Sequence, residues 1–152
     1  MRYLALILSL LITLGVPANE NELLKVYKSQ TCGCCKHWLT HLGESDVKYQ
    51  STDVQNLAEI KAMLKIKPQY QSCHTAISKE NFIFEGHVPA KFIRQFLAEK
   101  PEGSIGLSVP AMPLGSPGME VGDRFTPYKV LLLMKDGSAK EYAQINKYEE
   151  QF

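Results

Sequence analysis

The sequence lacks several features that mark common functional classes. Its 17 basic and 16 acidic residues leave a formal net charge of +1, and no basic stripe is interleaved with aromatic side chains, so we expect no nucleic-acid partner. It contains no Walker loop, dinucleotide fingerprint or GxSxG elbow, which argues against nucleotide chemistry and serine hydrolysis. With 152 residues, the chain has room for one compact domain.

The sequence also has no apolar run long enough to span a bilayer. The mostly apolar stretch at residues 4–14 follows Arg2 and is about half as long as the roughly 20 residues that a spanning helix needs. Val16-Pro17-Ala18 fits the small-residue pattern of a signal-peptidase site. We therefore predict a signal peptide at residues 1–18, a periplasmic location, and no stable membrane insertion after cleavage. An uncleaved anchor is the alternative.

Hydrophobic periodicity predicts elements in the order βαβα and then ββα. This order predicts an α/β fold, a thioredoxin-like domain with a mixed central sheet over residues 19–100. In the second helix, Asp53 is predicted as the cap, with Met63 among the residues facing inward. The predicted strands span 23–28, 47–51, 74–78 and 81–85. The predicted first and third helices span 32–42 and 89–99, and the second lies between its cap at Asp53 and Pro68, which stops it.

The last third of the chain has a different pattern. Residues 101–127 are rich in glycine and proline and have no periodicity, which predicts a long loop that is functional or disordered. Residues 128–134 and 138–144 then flank Asp136-Gly137, a strong hairpin signal. We therefore expect residues 101–152 to form a C-terminal extension, a Pro/Gly-rich loop followed by a β-hairpin, packed on the same domain.

Four cysteines carry the main chemical signal. Cys32, Cys34 and Cys35 lie within four residues at the predicted start of a helix, and Cys73 precedes a predicted strand. A helix N-terminus stabilises thiolate, which is both the nucleophile of disulfide exchange and a ligand of soft metals. Cys32 could attack and Cys35 resolve in a thiol–disulfide oxidoreductase. Alternatively, the four sulfurs could bind Cu(I), zinc or an iron–sulfur cluster, or form two structural disulfides.

Methionines in the Pro/Gly-rich segment add a further candidate. Met112 and Met119 carry thioethers, which are soft ligands that suit Cu(I) and hardly suit zinc. The neighbouring prolines could hold at least one of them over the cysteines. The alternative is that each methionine only fills an apolar gap.

Histidines are the remaining candidates. His87 lies just before the third predicted helix, where it could bind metal or donate a hydrogen bond to a ligand. Alternation along a strand predicts that His74 points away from Cys73. His37 and His41 are four residues apart, but we expect both on a solvated helix face.

Together these residues resemble a known family. The resemblance is to the CxCC metal-binding proteins formerly filed as a domain of unknown function, which include the CopG-type periplasmic copper-resistance proteins. It covers nearly all of the chain after the predicted signal. The matching strings are VYKS at 26–29, TCGCCK at 31–36, SCHTA at 72–76, EGHVPA at 85–90 and MPLGSPGME at 112–120.

The resemblance implies a thioredoxin-like domain whose C-terminal extension helps to bind metal. It also implies a periplasmic role in copper resistance, with a polynuclear copper–sulfur cluster and interconversion of Cu(I) and Cu(II). Family analogy adds a copper chaperone or an efflux system as partner. Whether the chain turns over as a copper oxidoreductase stays open. The implied metal ligands are Cys32, Cys34, Cys35, Cys73, Met112 and Met119. From their positions in the sequence, His74 and His87 are further candidates for groups that contact the ligands.

Overall fold

A computed structural model describes residues 23–152. The predicted signal at residues 1–18 lies outside the described residues. Within residues 23–152, no helix is long and apolar enough to cross a membrane.

A seven-stranded mixed sheet forms the centre of the fold, in the order β2-β1-β3-β4-β5-β6-β7. β1 with β2 and β4 with β5 pair in parallel, and the other neighbours are antiparallel. The strands are β1 (Leu24–Lys28), β2 (Tyr49–Asp53), β3 (His74–Ile77), β4 (Ile83–Gly86), β5 (Ser104–Val109), β6 (Tyr128–Met134) and β7 (Ala139–Ile145).

Three helices complete the predicted α/β class, which is confirmed together with the mixed sheet. They are α1 (Gly33–Glu44), α2 (Leu57–Met63) and α3 (Ala90–Glu99), and two short 3-10 turns span Pro68–Tyr70 and Tyr148–Gln151. α1 joins the parallel pair β1 and β2, and α3 joins the parallel pair β4 and β5. Such crossovers need an intervening segment because parallel strands cannot be joined by a tight turn.

The main core lies between one face of the sheet and helices α1 and α3. Val26, Ala76, Phe84 and Leu107 are in register across four neighbouring strands, and all are buried. Phe96 of α3 packs edge-on against Phe84, with ring centroids 5.6 Å apart. Because successive side chains of a strand point to opposite faces, the residues between these point to the side where α2 lies.

The prediction for the second helix was wrong in two respects. Asp53 is the last residue of β2 and forms an ion pair with Lys28 instead of capping a helix. The cap is Asn56, whose side chain accepts a hydrogen bond from a backbone N–H of the first turn. Met63 is 69% exposed and does not face inward. The buried residue of α2 is instead Lys61. The pattern of hydrophobic residues did not indicate its burial because lysine is charged.

The predicted long loop at residues 101–127 was also wrong in its first part, which forms β5. This strand pairs on both sides, with β4 in parallel and with β6 antiparallel. Gly106 sits where a Cβ atom would lie 1.8 Å from the carbonyl oxygen of Ile83. Close strand pairing therefore needs glycine at this position. The available signal was the alternation of Ile105, Leu107 and Val109, which lies within a stretch rich in glycine and proline.

The rest of that segment contains the two methionines and is fixed to the body of the protein. We call residues 110–119 the Met loop. The backbone N–H of Ala111 donates to the carbonyl of Gln71, 3.1 Å away. The side chain of Gln151 donates to the carbonyl of Gly115, 3.0 Å away. The loop is therefore held at its first part by the segment before β3 and in its middle by the C-terminal 3-10 turn.

His41 lies in a different environment from the predicted solvated face. It is 8% exposed, and its Nε2 accepts a hydrogen bond from the backbone N–H of Ala90, 3.0 Å away. This acceptor role requires an unprotonated Nε2. Burial lowers the pKa of His41, although Glu120 and Glu44 act in the opposite direction. The imidazole thus joins α1 to the start of α3 in its neutral form.

We expect His41→Gln to reduce the pH dependence of stability. Because the folded-state pKa of His41 is below its ordinary value of 6.5, its contribution is present above pH 6.5 and is lost as the pH falls through the folded-state pKa. The glutamine carbonyl can accept the same hydrogen bond without titrating. Urea midpoints measured in the metal-free protein between pH 7.5 and 5 should fall more in the native chain than in the variant. Equal slopes would contradict this assignment.

Candidate metal centre

Three cysteines meet where α1 begins. Cys32 occupies the N-cap position in an extended conformation and forms a disulfide with Cys35. Cys34 is a free thiol, and its Sγ lies 3.6 Å from the Sγ of Cys32. No side chain caps this helix end, so its first N–H groups and the helix dipole favour negative charge on the sulfurs.

Cys73 brings the fourth sulfur from a distant part of the chain. It is the residue before β3, and its Sγ lies 3.8 Å from the Sγ of Cys34. Its carbonyl oxygen lies 3.7 Å from the Sγ of Cys35. The four cysteine sulfurs all lie within 4.8 Å of one another. The predicted cysteines are therefore brought together in space.

His87 contacts this cluster with a defined ring nitrogen. Its Nδ1 lies 2.8 Å from the carbonyl oxygen of Pro117 and its Nε2 lies 3.0 Å from the Sγ of Cys73. A carbonyl can only accept, so Nδ1 carries the proton and the Nε2 lone pair faces the sulfur. This arrangement of a ring N–H on a carbonyl and a free nitrogen towards the site is typical of histidine ligands of metals.

His74 also faces the cluster, so the prediction that it points away from Cys73 was wrong. Its Nδ1 lies 3.2 Å from the Sγ of Cys73, and its ring is tilted by 40° against that of Trp38, with the centroids 4.3 Å apart. Strand alternation did not apply because Cys73 precedes the strand and is not part of it. The Nε2 of His74 is buried and has no hydrogen-bond partner among residues 23–152.

Burial controls the protonation of the groups around Cys73. It lowers the pKa of His74 and of His87, so both rings are neutral near pH 7 and offer lone pairs. Burial, together with the neighbouring Cys34, raises the pKa of the Cys73 thiol to about 12. A soft cation would have to displace this proton, which makes metal binding at Cys73 release a proton. Cys73, His74 and His87 form a second group of donors within 4.8 Å.

The two predicted methionines differ in their placement. Met112 is 49% exposed, and Met119 is half-buried. A Cβ atom on Gly118 would lie 2.6 Å from the backbone nitrogen of Trp38 and 2.7 Å from the carbonyl oxygen of Cys34. The Met loop therefore lies directly against the first turns of α1, and Met119 follows the point of closest approach.

Sequence reasoning missed a buried charged group next to the cluster. The carboxylate of Glu85 is fully buried and accepts a hydrogen bond from the backbone N–H of Ser72, 2.7 Å away. It also forms an ion pair with Lys61 of α2. The available signal was an acidic residue at the end of the apolar run 82–84, where an unpaired charge would not be tolerated.

Comparison with known proteins agrees with this site. A family model described as "Protein of unknown function, DUF411" matches residues 70–119, which include Cys73, His87 and the Met loop. No curated protein matches the chain. A solved structure named "Copper resistance protein copG- Form 2" is 35% identical, covers 81% of this chain and 97% of its own, and superposes with a TM-score of 0.76. The chain belongs to the CopG family.

A second structure of the family supports the same assignment. "Copper resistance protein copG- Form 1" is also 35% identical and covers 80% of this chain and 95% of its own, with a TM-score of 0.75. The family resemblance carried by the five sequence strings is confirmed. This chain thus combines the fold of named copper-resistance proteins with a cysteine cluster that could bind metal.

Proposed function

We propose that this protein is an exported, redox-active copper-binding protein of copper resistance that sequesters copper or interconverts Cu(I) and Cu(II) at a copper–thiolate cluster. The observation that carries the proposal is the convergence of four cysteine sulfurs and two neutral imidazoles at the start of α1. Thiolate and thioether sulfur select Cu(I), and imidazole also suits copper. The names of the two similar structures refer to copper resistance and support this choice of metal.

The proposed ligand set favours a polynuclear copper–sulfur cluster over a single bound copper ion. Cys32, Cys34 and Cys35 lie on one helical turn, and vicinal sulfurs rarely chelate a single ion well in tetrahedral geometry. Their sulfurs are instead placed to bridge neighbouring ions. Met119 and Met112 are proposed to shield the cluster or bind to it from the Met loop. The full proposed set is Cys32, Cys34, Cys35, Cys73, Met112 and Met119, with His74 and His87 as ligands or as partners of ligands.

The disulfide supports a redox role. Oxidation of the Cys32 and Cys35 thiolates to their disulfide releases two electrons, enough to reduce two Cu(II) ions to Cu(I). Reduction of the disulfide by an external thiol would restore both ligands. The direction of copper conversion would therefore follow the oxidation state of this cysteine pair.

The same proposal includes location and organisation. We propose cleavage after residue 18, a periplasmic location, and a periplasmic copper chaperone or efflux system as partner. A thioredoxin-like core at residues 19–100 and an extension at 101–152 are proposed as one domain. The strand order β2-β1-β3-β4, with β3 antiparallel to both neighbours, and the continuation of the sheet into β7 support this organisation.

Metal loading tests the proposal directly. The exported protein is reduced without oxygen, loaded with Cu(I), treated with a competing chelator and weighed by native mass spectrometry. We expect several copper ions to remain on each chain, because vicinal thiolates bridge soft ions. Zinc offered in the same assay should be displaced by Cu(I). A chain that retains no copper would contradict the proposal.

The second candidate function is a periplasmic thiol–disulfide oxidoreductase that uses Cys32 and Cys35. The disulfide between these residues at a helix start favours it. Such an enzyme should reduce or oxidise a disulfide substrate without copper. Its turnover should also persist in Cys34→Ser, since Cys34 has no role in a two-cysteine mechanism.

A further inference from the structure

An ion pair lies buried on the side of the sheet opposite helices α1 and α3. The ammonium of Lys61 contacts the carboxylate of Glu85 and lies 3.0 Å from the hydroxyl oxygen of Thr75. The side chain of Lys61 is 5% exposed and that of Glu85 is fully buried. The proposed metal ligands include none of these residues, so the pair has no direct role in the copper site.

The carboxylate of Glu85 accepts hydrogen bonds from residues that lie before and after Cys73 in the sequence. One oxygen accepts the backbone N–H of Ser72 at 2.7 Å, and the other accepts the hydroxyl of Thr75 at 2.6 Å. Cys73 and His74 are thus held between two anchored residues. The hydrogen bond from Ser72 fixes the backbone of the residue immediately before Cys73.

The same segment extends the connection to the Met loop. The hydroxyl of Ser72 donates to the carbonyl of Ala111. Gly86 follows Glu85, and a Cβ atom there would lie 2.5 Å from the side chain of Ser72. The position of Ser72 is therefore fixed by Glu85, by Gly86 and by the Met loop together.

Stability alone does not account for a buried charge pair here. Replacing such a pair by apolar residues of similar size is often neutral or stabilising, because both ions lose hydration when they are buried. An apolar pair, however, could not accept the N–H of Ser72. The property that an apolar pair cannot reproduce is the fixed placement of residues 72–75.

We propose that Lys61 and Glu85 are positioning residues that set the Sγ of Cys73 within reach of Cys34 and His87. Lys61 holds the carboxylate of Glu85, and that carboxylate holds the backbone on which Cys73 is mounted. The consequence for copper rests on the proposed function, whereas the placement of the thiol does not.

Two double variants, each without the charges of Lys61 and Glu85, separate the effect of holding the Ser72 backbone from the effect of the charges. Lys61→Met with Glu85→Gln keeps a side-chain oxygen that accepts from Ser72, and Lys61→Met with Glu85→Leu has similar volume but no acceptor. In the metal-free protein with the Cys32–Cys35 disulfide intact, the free thiols are Cys34 and Cys73. Added oxidised glutathione accepts the two electrons when Cys34 and Cys73 couple, and is itself reduced to two glutathione thiols. The rate of this coupling reports the placement of the Cys73 sulfur.

We expect the Leu double variant to couple Cys34 to Cys73 at least tenfold more slowly than the Gln double variant, which should stay within threefold of the native rate. Val130→Ala, a buried truncation in β6, provides a destabilised control that should couple at the native rate. Thr75→Val provides a milder test, with an expected three- to tenfold decrease. Equal coupling rates in the two double variants, or a native rate in Thr75→Val, would overturn the proposal.

Copper retention then distinguishes the positioning role of Lys61 and Glu85 from the proposed copper-binding function. Fewer copper ions on the Leu double variant than on the Gln double variant would support both the positioning role and the proposed function. A coupling difference in a chain that binds no copper even in its native form would support the positioning role and contradict the proposed function. Normal coupling in all variants of a copper-binding chain would contradict only the positioning role.

Discussion

Cys34→Ser is expected to abolish the proposed multi-copper state, with at most one copper ion retained per chain. Cys34 lies between the other sulfurs, 3.6 Å from Cys32 and 3.8 Å from Cys73, and is the sulfur best placed to bridge them. A hydroxyl is a hard, weakly acidic donor that does not replace a bridging thiolate for Cu(I). Native mass spectrometry after chelator challenge measures the change directly.

Two controls show whether a loss of copper reflects the missing sulfur and not a loss of the fold: the stability of Cys34→Ser and the copper load of Thr31→Ser. The side chain of Cys34 is only partly buried, and the Cys32–Cys35 disulfide does not involve it. The thermal midpoint of the metal-free variant should therefore stay within a few degrees of the native value. Thr31→Ser, an exposed change beside the cluster, should retain the full copper load. An unchanged copper count in Cys34→Ser would show that the cluster does not depend on this sulfur.

Gly118→Ala is expected to destabilise the protein strongly, because a methyl group there would clash with the backbone of α1. Gly118 has a φ of +87°, and its Cβ would lie 2.7 Å from the carbonyl of Cys34. Left-handed strain on alanine and overpacking together predict a loss of about 2–5 kcal/mol in the free energy of unfolding. Separation of the Met loop from α1 would avoid the clash but would break the His87–Pro117 hydrogen bond.

Gly122→Ala is the control for this substitution. Gly122 also has a positive φ, +54°, but nothing lies within 4 Å of its Cβ position. It should therefore lose only about 1–2 kcal/mol, from backbone strain alone. Chemical denaturation of both metal-free variants, followed by copper retention, gives the comparison. Equal losses of stability and equal copper retention in the two variants would contradict a close contact between the Met loop and α1.

Local signals were sufficient for most of the fold. Alternating apolar residues and the Asp136-Gly137 turn correctly indicated the strands on both sides of that turn, which pair antiparallel. The strand β5 was missed because its short alternating pattern lies in a stretch rich in glycine and proline and because pairing with two neighbouring strands stabilises it. His41 was misassigned because its burial depends on α3, which lies about fifty residues further along the chain.

The candidate site was predictable to a similar extent. Cysteine spacing and family resemblance placed the four thiols together, and His87 lies where it was expected, before α3. The Lys61–Glu85 pair was not predictable, since a charged residue in a short helix normally indicates a solvated face. Only the packing of α2 on the sheet brings the two charges together. Contacts between distant segments therefore determine the part of the site that local patterns do not show.

The segments that form the site lie far apart in the sequence, so they are synthesised at different times. The thiols of α1 are made early, but the Met loop follows some seventy residues later, and Gln151, which holds Gly115, is next to last in the chain. No partial chain that lacks its final residues has all the contacts of the closed site. The thiols of α1 therefore exist before the segments that hold the Met loop against them, and the proposed metal site is complete only after Gln151 has folded against Gly115.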